Sequence, residues 1–144
     1  MYTVRVEKTL NAEIDKVFAG LADHENYSRF PGVFHSELLK EGSIERNGVG
    51  ARRKLVLGLG ILEEDIVAFE QPSLMGYQIT SSFPFVVNHV KGEITLKRQG
   101  KATQVTWIST FEFPTPVVGE LLENVLGPVF EFGFSSMLDA VEKE

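Results

Sequence analysis

The chain has 144 residues, 43% of them hydrophobic and 24% charged, the length and balance of one globular domain that can bury its own core. Acidic residues outnumber basic ones 20 to 14, which opposes both the counterion release that drives nucleic-acid binding and attraction to an anionic membrane surface. The absence of cysteine excludes disulfides, thiol nucleophiles and thiolate metal sites.

The N-terminal run MYTVRVEKTL carries charges and no apolar h-region, so a cytoplasmic protein is expected, and no stretch is apolar enough for a membrane span. Residues 2–9 alternate, with Tyr2, Val4 and Val6 on one side and Thr3, Arg5, Glu7 and Thr9 on the other, the period of a half-buried strand. Asn11 offers a helix cap, and Ile14, Val17, Phe18 and Leu21 form an apolar stripe behind it. Tyr27 and Phe30 stand one turn apart in a second short helix over 23–31, stopped by Pro31-Gly32.

Turn signals at Glu41-Gly42, Asn47 to Gly50, Gly58-Leu59-Gly60, Gln71-Pro72-Ser73, Phe83-Pro84 and Gln99-Gly100 divide the middle of the chain into strands over about 33–42, 51–58, 61–70, 74–82, 86–98 and 102–113. Links this short favour an antiparallel meander. On the strand 86–98, Val86, Asn88, Val90, Gly92, Ile94 and Leu96 share one face, while Val87, His89, Lys91 and Glu93 share the other. On 102–113, Val105, Trp107, Ser109, Phe111 and Phe113 share a face. Residues 116–143 are helical, and Gly127-Pro128 predicts a bend or a break. The expected class is α+β: a seven-stranded curved antiparallel sheet wrapped around a long C-terminal helix, with two short helices after the first strand, in one domain over 1–144. Periodicity leaves open whether aromatic side chains fill the concave side or a cavity remains.

Several local motifs carry a resemblance. These are Val17-Phe18 through Leu21, Asp23, Asn26-Tyr27 and Phe30; Gly48-Val49-Gly50-Ala51-Arg52-Arg53; Glu64 to Phe69 running into Gln71-Pro72, Leu74 and Tyr77; the strand with Gly92; and Thr103 to Trp107 before the terminal helix. In this order they resemble the START-like superfamily, also called SRPBCC or Bet v 1-like, in its polyketide cyclase/dehydrase and lipid-transport branch. The resemblance implies a helix-grip fold with a hydrophobic cavity between sheet and helix. It implies less about function, because these motifs are mostly turns and packing.

No metal site and no cofactor are expected. His24, His35 and His89 are widely separated and read as surface or capping residues. Ser109 has no evident base partner. The informative residues are polar ones on faces that should turn inward: Asn88, Ser109 and Arg53, the last sharing parity with Ala51, Leu55 and Leu57. On 61–70 either parity turns a carboxylate inward, and the resemblance favours Glu64 with Ile66. A buried Arg or Glu is costly unless paired, so an Arg53–Glu64 pair is expected. Tyr77 would add a hydroxyl. Phe83 and Phe85 would cap a cavity entrance. Phe130, Phe132 and Phe134 alternate by two within a helix, so they cannot share one face, and a second copy of the chain is one candidate partner for them.

The candidate binding set is therefore Arg53, Glu64, Tyr77, Phe83, Phe85, Asn88, Trp107, Ser109, Phe111 and Phe132. The ligand expected is a lipid, isoprenoid or polycyclic aromatic molecule. Replacing Arg53 with Ala should lower ligand affinity more than stability. The alternative is a cyclase or dehydratase, with Glu64 and Tyr77 as acid–base candidates and Arg53 stabilising enolate charge. A further alternative is a module whose apolar groove binds another protein.

Overall fold

A computed structural model describes all of residues 1–144. The strands are β1 (Tyr2–Leu10), β2 (Val33–Lys40), β3 (Arg52–Leu57), β4 (Gly60–Glu70), β5 (Leu74–Phe83), β6 (Asn88–Gln99) and β7 (Ala102–Glu112). Helix α1 (Ile14–Ala22) and a 3-10 helix (His24–Arg29) follow β1, and α2 (Val118–Lys143) ends the chain. All seven strands form one antiparallel sheet in the order β1-β7-β6-β5-β4-β3-β2. Five strands after β2 run as a meander because each link is too short to cross over. β1 closes back on β7, and α2 lies against β1 and touches β7 and α1.

The α1 stripe of Ile14, Val17, Phe18 and Leu21 is buried as its spacing predicts. Asn11 does not cap it. The residue before the helix is Glu13, without a side-chain cap, and the Asn11 amide instead donates to Glu142 at 2.7 Å near the end of α2. Pro128 sits inside α2 without dividing it. The missing N–H costs one backbone bond, while the inner side of the helix contributes Leu126, Met137, Leu138 and Val141 to the core.

β6 departs from the expected pattern. Gly92, Ile94 and Leu96 are buried on schedule, but so is His89, whereas Asn88, Val86 and Val90 are exposed. The register with β7 slips between His89 and Lys91. A bulge inserts one residue and reverses inside and outside for everything before it. A second irregularity accompanies it. β5 pairs with β6 only through Leu74–Tyr77, so the two strands part beyond Tyr77. There the Ile79 amide, with no ladder carbonyl opposite, donates to the His89 ring at 3.0 Å. The imidazole replaces a backbone acceptor, and this explains why it is buried.

Candidate functional site

Between the sheet and the middle of α2 lies a cavity of about 260 Å³, just under the roughly 300 to 1,000 Å³ of usual ligand pockets. Of its 22 lining residues 15 are hydrophobic, so any occupant must be mainly apolar. α2 supplies Val129, Phe130, Gly133, Phe134 and Met137; the sheet supplies Leu55, Leu57, Leu62, Ile79, Trp107 and Phe111. Phe134 stacks on Trp107 at 4.2 Å and 5°, and Phe130 meets Phe111 edge-on at 5.5 Å. These aromatic pairs hold the helix off the sheet while leaving space beside them.

The polar side chains gather at the inner end. Arg53 and Glu64 stand directly opposite in the β3–β4 register. Arg53 Nε donates to Glu64 Oε1 at 2.8 Å, and Nη2 lies 2.8 Å from the same oxygen as an ion-pair contact. Its guanidinium lies 4.7 Å from the Tyr27 ring centre and 5.4 Å from that of Tyr77. The inner face of β4 is thus that of Glu64 and Ile66, while Asp65 faces out and pairs with Arg52 at 2.6 Å. An ion pair this deep persists because a third partner and two aromatic faces replace the lost water.

That third partner is His24. Its Nε2 lies 2.8 Å from the Asn47 carbonyl, which can only accept, so Nε2 carries the proton. Nδ1 then presents a lone pair to Arg53 Nη1 at 3.1 Å. Burial, and then the Arg53 charge, drive the His24 pKa down to about 3, so the ring is neutral and acts as an acceptor.

His89 obeys the same logic. Nδ1 accepts the Ile79 amide, so Nε2 donates to Ser109 Oγ at 3.0 Å. Ser109 therefore has no base to activate it, because the nitrogen facing it already bears the proton. The bond leaves Ser109 its own hydroxyl proton to donate, either to the neighbouring Tyr77 hydroxyl or to an acceptor in the cavity. Burial holds the His89 pKa below its ordinary value against the charge of Glu64. Its ring stacks on Tyr77 at 5.4 Å. Tyr77 accepts a hydrogen bond from Trp107 Nε1 at 2.8 Å, and burial followed by the Glu64 charge pushes its phenol well above the usual tyrosine range. Tyr77 is thus a donor at neutral pH and not a base. Glu64 Oε2 receives no hydrogen bond from the protein, since both Arg53 contacts end on Oε1. The inner end offers an occupant one anionic acceptor and two hydroxyl donors.

Of the ten sequence candidates, Arg53, Glu64, Tyr77, Trp107, Ser109 and Phe111 line this cavity. Phe83, Phe85, Asn88 and Phe132 do not. Asn88 points outward to Glu112 at 3.3 Å because of the bulge. Phe132 lies on the outer side of α2, since residues two apart on a helix differ by about 200° and its neighbours Phe130 and Phe134 face in. Phe83 ends β5 with its side chain exposed, and Phe85 in the following loop leans on Phe113 with ring centres 6.1 Å apart. Of the three histidines expected as surface or capping residues only His35 is exposed; His24 and His89 are buried, where each bonds a backbone group, the Asn47 carbonyl and the Ile79 amide. His24 was findable, because it precedes Tyr27 by one turn and shares its buried side. His89 was not, because no residue pattern announces the bulge.

The family model described as polyketide cyclase/dehydrase and lipid transport matches residues 1–142. A START superfamily protein from Mycobacterium smegmatis superposes with a TM-score of 0.79 at 14% identity, over 99% of both chains. The Zhui aromatase/cyclase from Streptomyces sp. R1128 gives 0.75 at 19% identity, over 99% of this chain and 94% of the other. A solution structure from Thermobifida fusca gives 0.69 at 23% identity, over 99% and 95%. Among proteins with curated descriptions none matches. At these identities the structural likeness establishes the helix-grip fold.

Proposed function

The chain belongs to the polyketide cyclase/dehydrase and lipid transport family, and from that premise we propose that residues 1–144 form one binding domain. Its ligand is a small, mainly apolar molecule with a hydroxyl or carbonyl at one end. The observation that carries this reading is the cavity itself, apolar along its length, with Glu64 Oε2 left without a donor at its inner end. Glu64 lines the cavity and its Oε2 takes no donor from the protein, so a ligand hydroxyl can bond it while the Ser109 hydroxyl faces a second ligand oxygen. Burying about 250 Å² of apolar ligand surface would supply roughly 6 kcal/mol, before the loss of ligand freedom is counted. The polar contacts then set orientation.

Binding is preferred over turnover because acid–base catalysis needs a group that exchanges protons near the working pH. Burial drives His24 far below that range and Tyr77 well above it, and it lowers His89 as well.

Native mass spectrometry of freshly purified protein, with organic extraction, tests the reading alongside saturable binding of the neutral fluorescent probe phenylnaphthylamine. Gly133 lines the cavity, and a side chain added there meets nothing within 4 Å, so Gly133→Leu should fill the space and abolish probe binding in a folded protein. Probe binding that survives Gly133→Leu unchanged would place the occupant elsewhere and refute the proposal.

A further inference from the structure

The antiparallel meander brings four chain segments to one end of the molecule: the approach to β2, the β3–β4 turn, the β5–β6 loop and the entry to α2. Residues 30–34, 55–62, 79–88 and 113–119 contain no Asp, Glu, Lys or Arg. The opposite end carries Lys40, Glu41, Glu45 and Arg46, then Glu70, Arg98 and Lys101, and finally Glu142, Lys143 and Glu144. Charge is therefore segregated along the strand axis in a way that the acidic average hides.

At the uncharged end large apolar side chains stand in solvent: Phe34 is 73% exposed, Phe83 69% and Val117 84%, with Leu59, Val86 and Leu121 beside them. The segments touch one another. The Phe34 ring lies over Gly58, the Phe83 carbonyl over Gly60, and Phe85 packs edge-on against Phe113. Pro31, Gly32, Gly58 and Leu59 also line the cavity, so its mouth opens within this apolar surface. Four of the six prolines, Pro31, Pro84, Pro114 and Pro116, lie in these segments. Each removes a backbone N–H that would otherwise have to shed water.

We infer that this end docks onto a neutral, zwitterionic lipid surface, with the cavity mouth against the bilayer. A protein partner would be expected to exchange about one hydrogen bond per 100–200 Å² of interface, and these segments offer few side-chain donors or acceptors. A hydrocarbon boundary asks for none. The charged side chains bordering the end include Glu112 and Glu120, which repel anionic headgroups, and no lysine or arginine is present in the four segments to attract them. Docking would give a poorly soluble ligand a path from bilayer to cavity without crossing water. Docking goes beyond the binding reading and is measured without a cavity ligand, so either can fail alone.

Flotation of the purified chain with phosphatidylcholine vesicles tests it. Binding should be the same at low and high salt and should not increase when phosphatidylserine is added. Phe34→Asp, Phe83→Asp and Val117→Asp should each weaken it about tenfold or more, since each places a charge where an apolar side chain was buried. All three sites are exposed, so folding is retained and is checked by circular dichroism. Ile44→Asp, at the charged end and 97% exposed, should leave binding unchanged. Four results would overturn the inference: no flotation with phosphatidylcholine, binding that requires phosphatidylserine and disappears in salt, binding indifferent to the three Asp variants, or a dimer in sedimentation velocity that these variants dissociate while vesicles are ignored. The last would assign the surface to a second copy.

Discussion

Replacing Arg53 with Met removes the cation from a site where Arg53 is 1% exposed and Glu64 4%. Met occupies much of the same volume, so the loss comes mainly from charge and hydrogen bonds. Glu64 Oε1 loses its donor and its counter-ion, and His24 Nδ1 loses the Arg53 donor while the ring's Asn47 bond survives. Stranding one member of a buried pair costs about 3–5 kcal/mol. Against a typical total of about 5–15 kcal/mol this is a large share of the protein's stability. At roughly 2–4 °C per kcal/mol for a chain near this size, the melting temperature should fall by about 6–20 °C. Adding Glu64→Leu to the same chain removes the stranded carboxylate and should restore most of the loss, because an apolar pair of similar volume is close to neutral. Trp107, the single tryptophan, is 2% exposed and reports unfolding in urea by its fluorescence. The stability loss should therefore dominate any loss of ligand affinity, the reverse of what Arg53 suggests when read as a surface of the cavity alone. A single variant within about 1 kcal/mol of the parent, or a double variant no better than the single, would refute this account of the pair.

Acid should weaken the protein before its carboxylates titrate. The His24 and His89 pKa values are lowered in the folded state, that of His24 from 6.5 to about 3. Below pH 6.5 the unfolded chain binds protons that the folded chain refuses, so stability rises with pH; it is fully present above 6.5 and is lost as pH falls. Unfolding free energies from urea titrations between about pH 6.5 and 5 should decline by up to about 1.4 kcal/mol per pH unit for each of these histidines, and a flat profile would contradict their neutral, buried state. Gly92 is the second test. A Cβ there would lie 2.7 Å from Tyr77 ring carbons and from His89 Cε1, so Gly92→Ala should displace the Tyr77–His89 stack and cost about 1–3 kcal/mol by thermal melting. Gly133→Ala, with nothing within 4 Å of the added carbon, should instead stabilise α2 by about 0.5–1 kcal/mol. Equal effects at the two glycines would mean that close packing is not what distinguishes them.

Much of this fold can be read along the chain because its signals are local. The α1 stripe, the period-two strands and the glycine and proline turns each act within a few residues, and short turns force antiparallel neighbours. The Arg53–Glu64 pair was also accessible, since parity turned Arg53 inward and a buried guanidinium demands a carboxylate. His24 needed one further step, counting back a helical turn from Tyr27. Asn88 and His89 exchanged places for a reason no window contains. Parity counting assumes an unbroken ladder, and the bulge between His89 and Lys91 shifts it by one.

Residue order thus specified the seven strands, the terminal helix and the need for a buried ion pair, because alternation, turn chemistry and the cost of burying charge are properties of short segments and single side chains. Whether the helix packs flush or leaves a cavity, which proton each histidine keeps, and which oxygen of Glu64 stays free were decided in three dimensions. Those outcomes depend on the parting of β5 from β6 beyond Tyr77, on Phe130 and Phe134 propping α2 above Trp107 and Phe111, and on the carbonyl of Asn47 and the amide of Ile79 arriving beside rings far from them in the chain. Hydrogen-bond direction and void space are set by which atoms meet, and that is a property of the packed molecule.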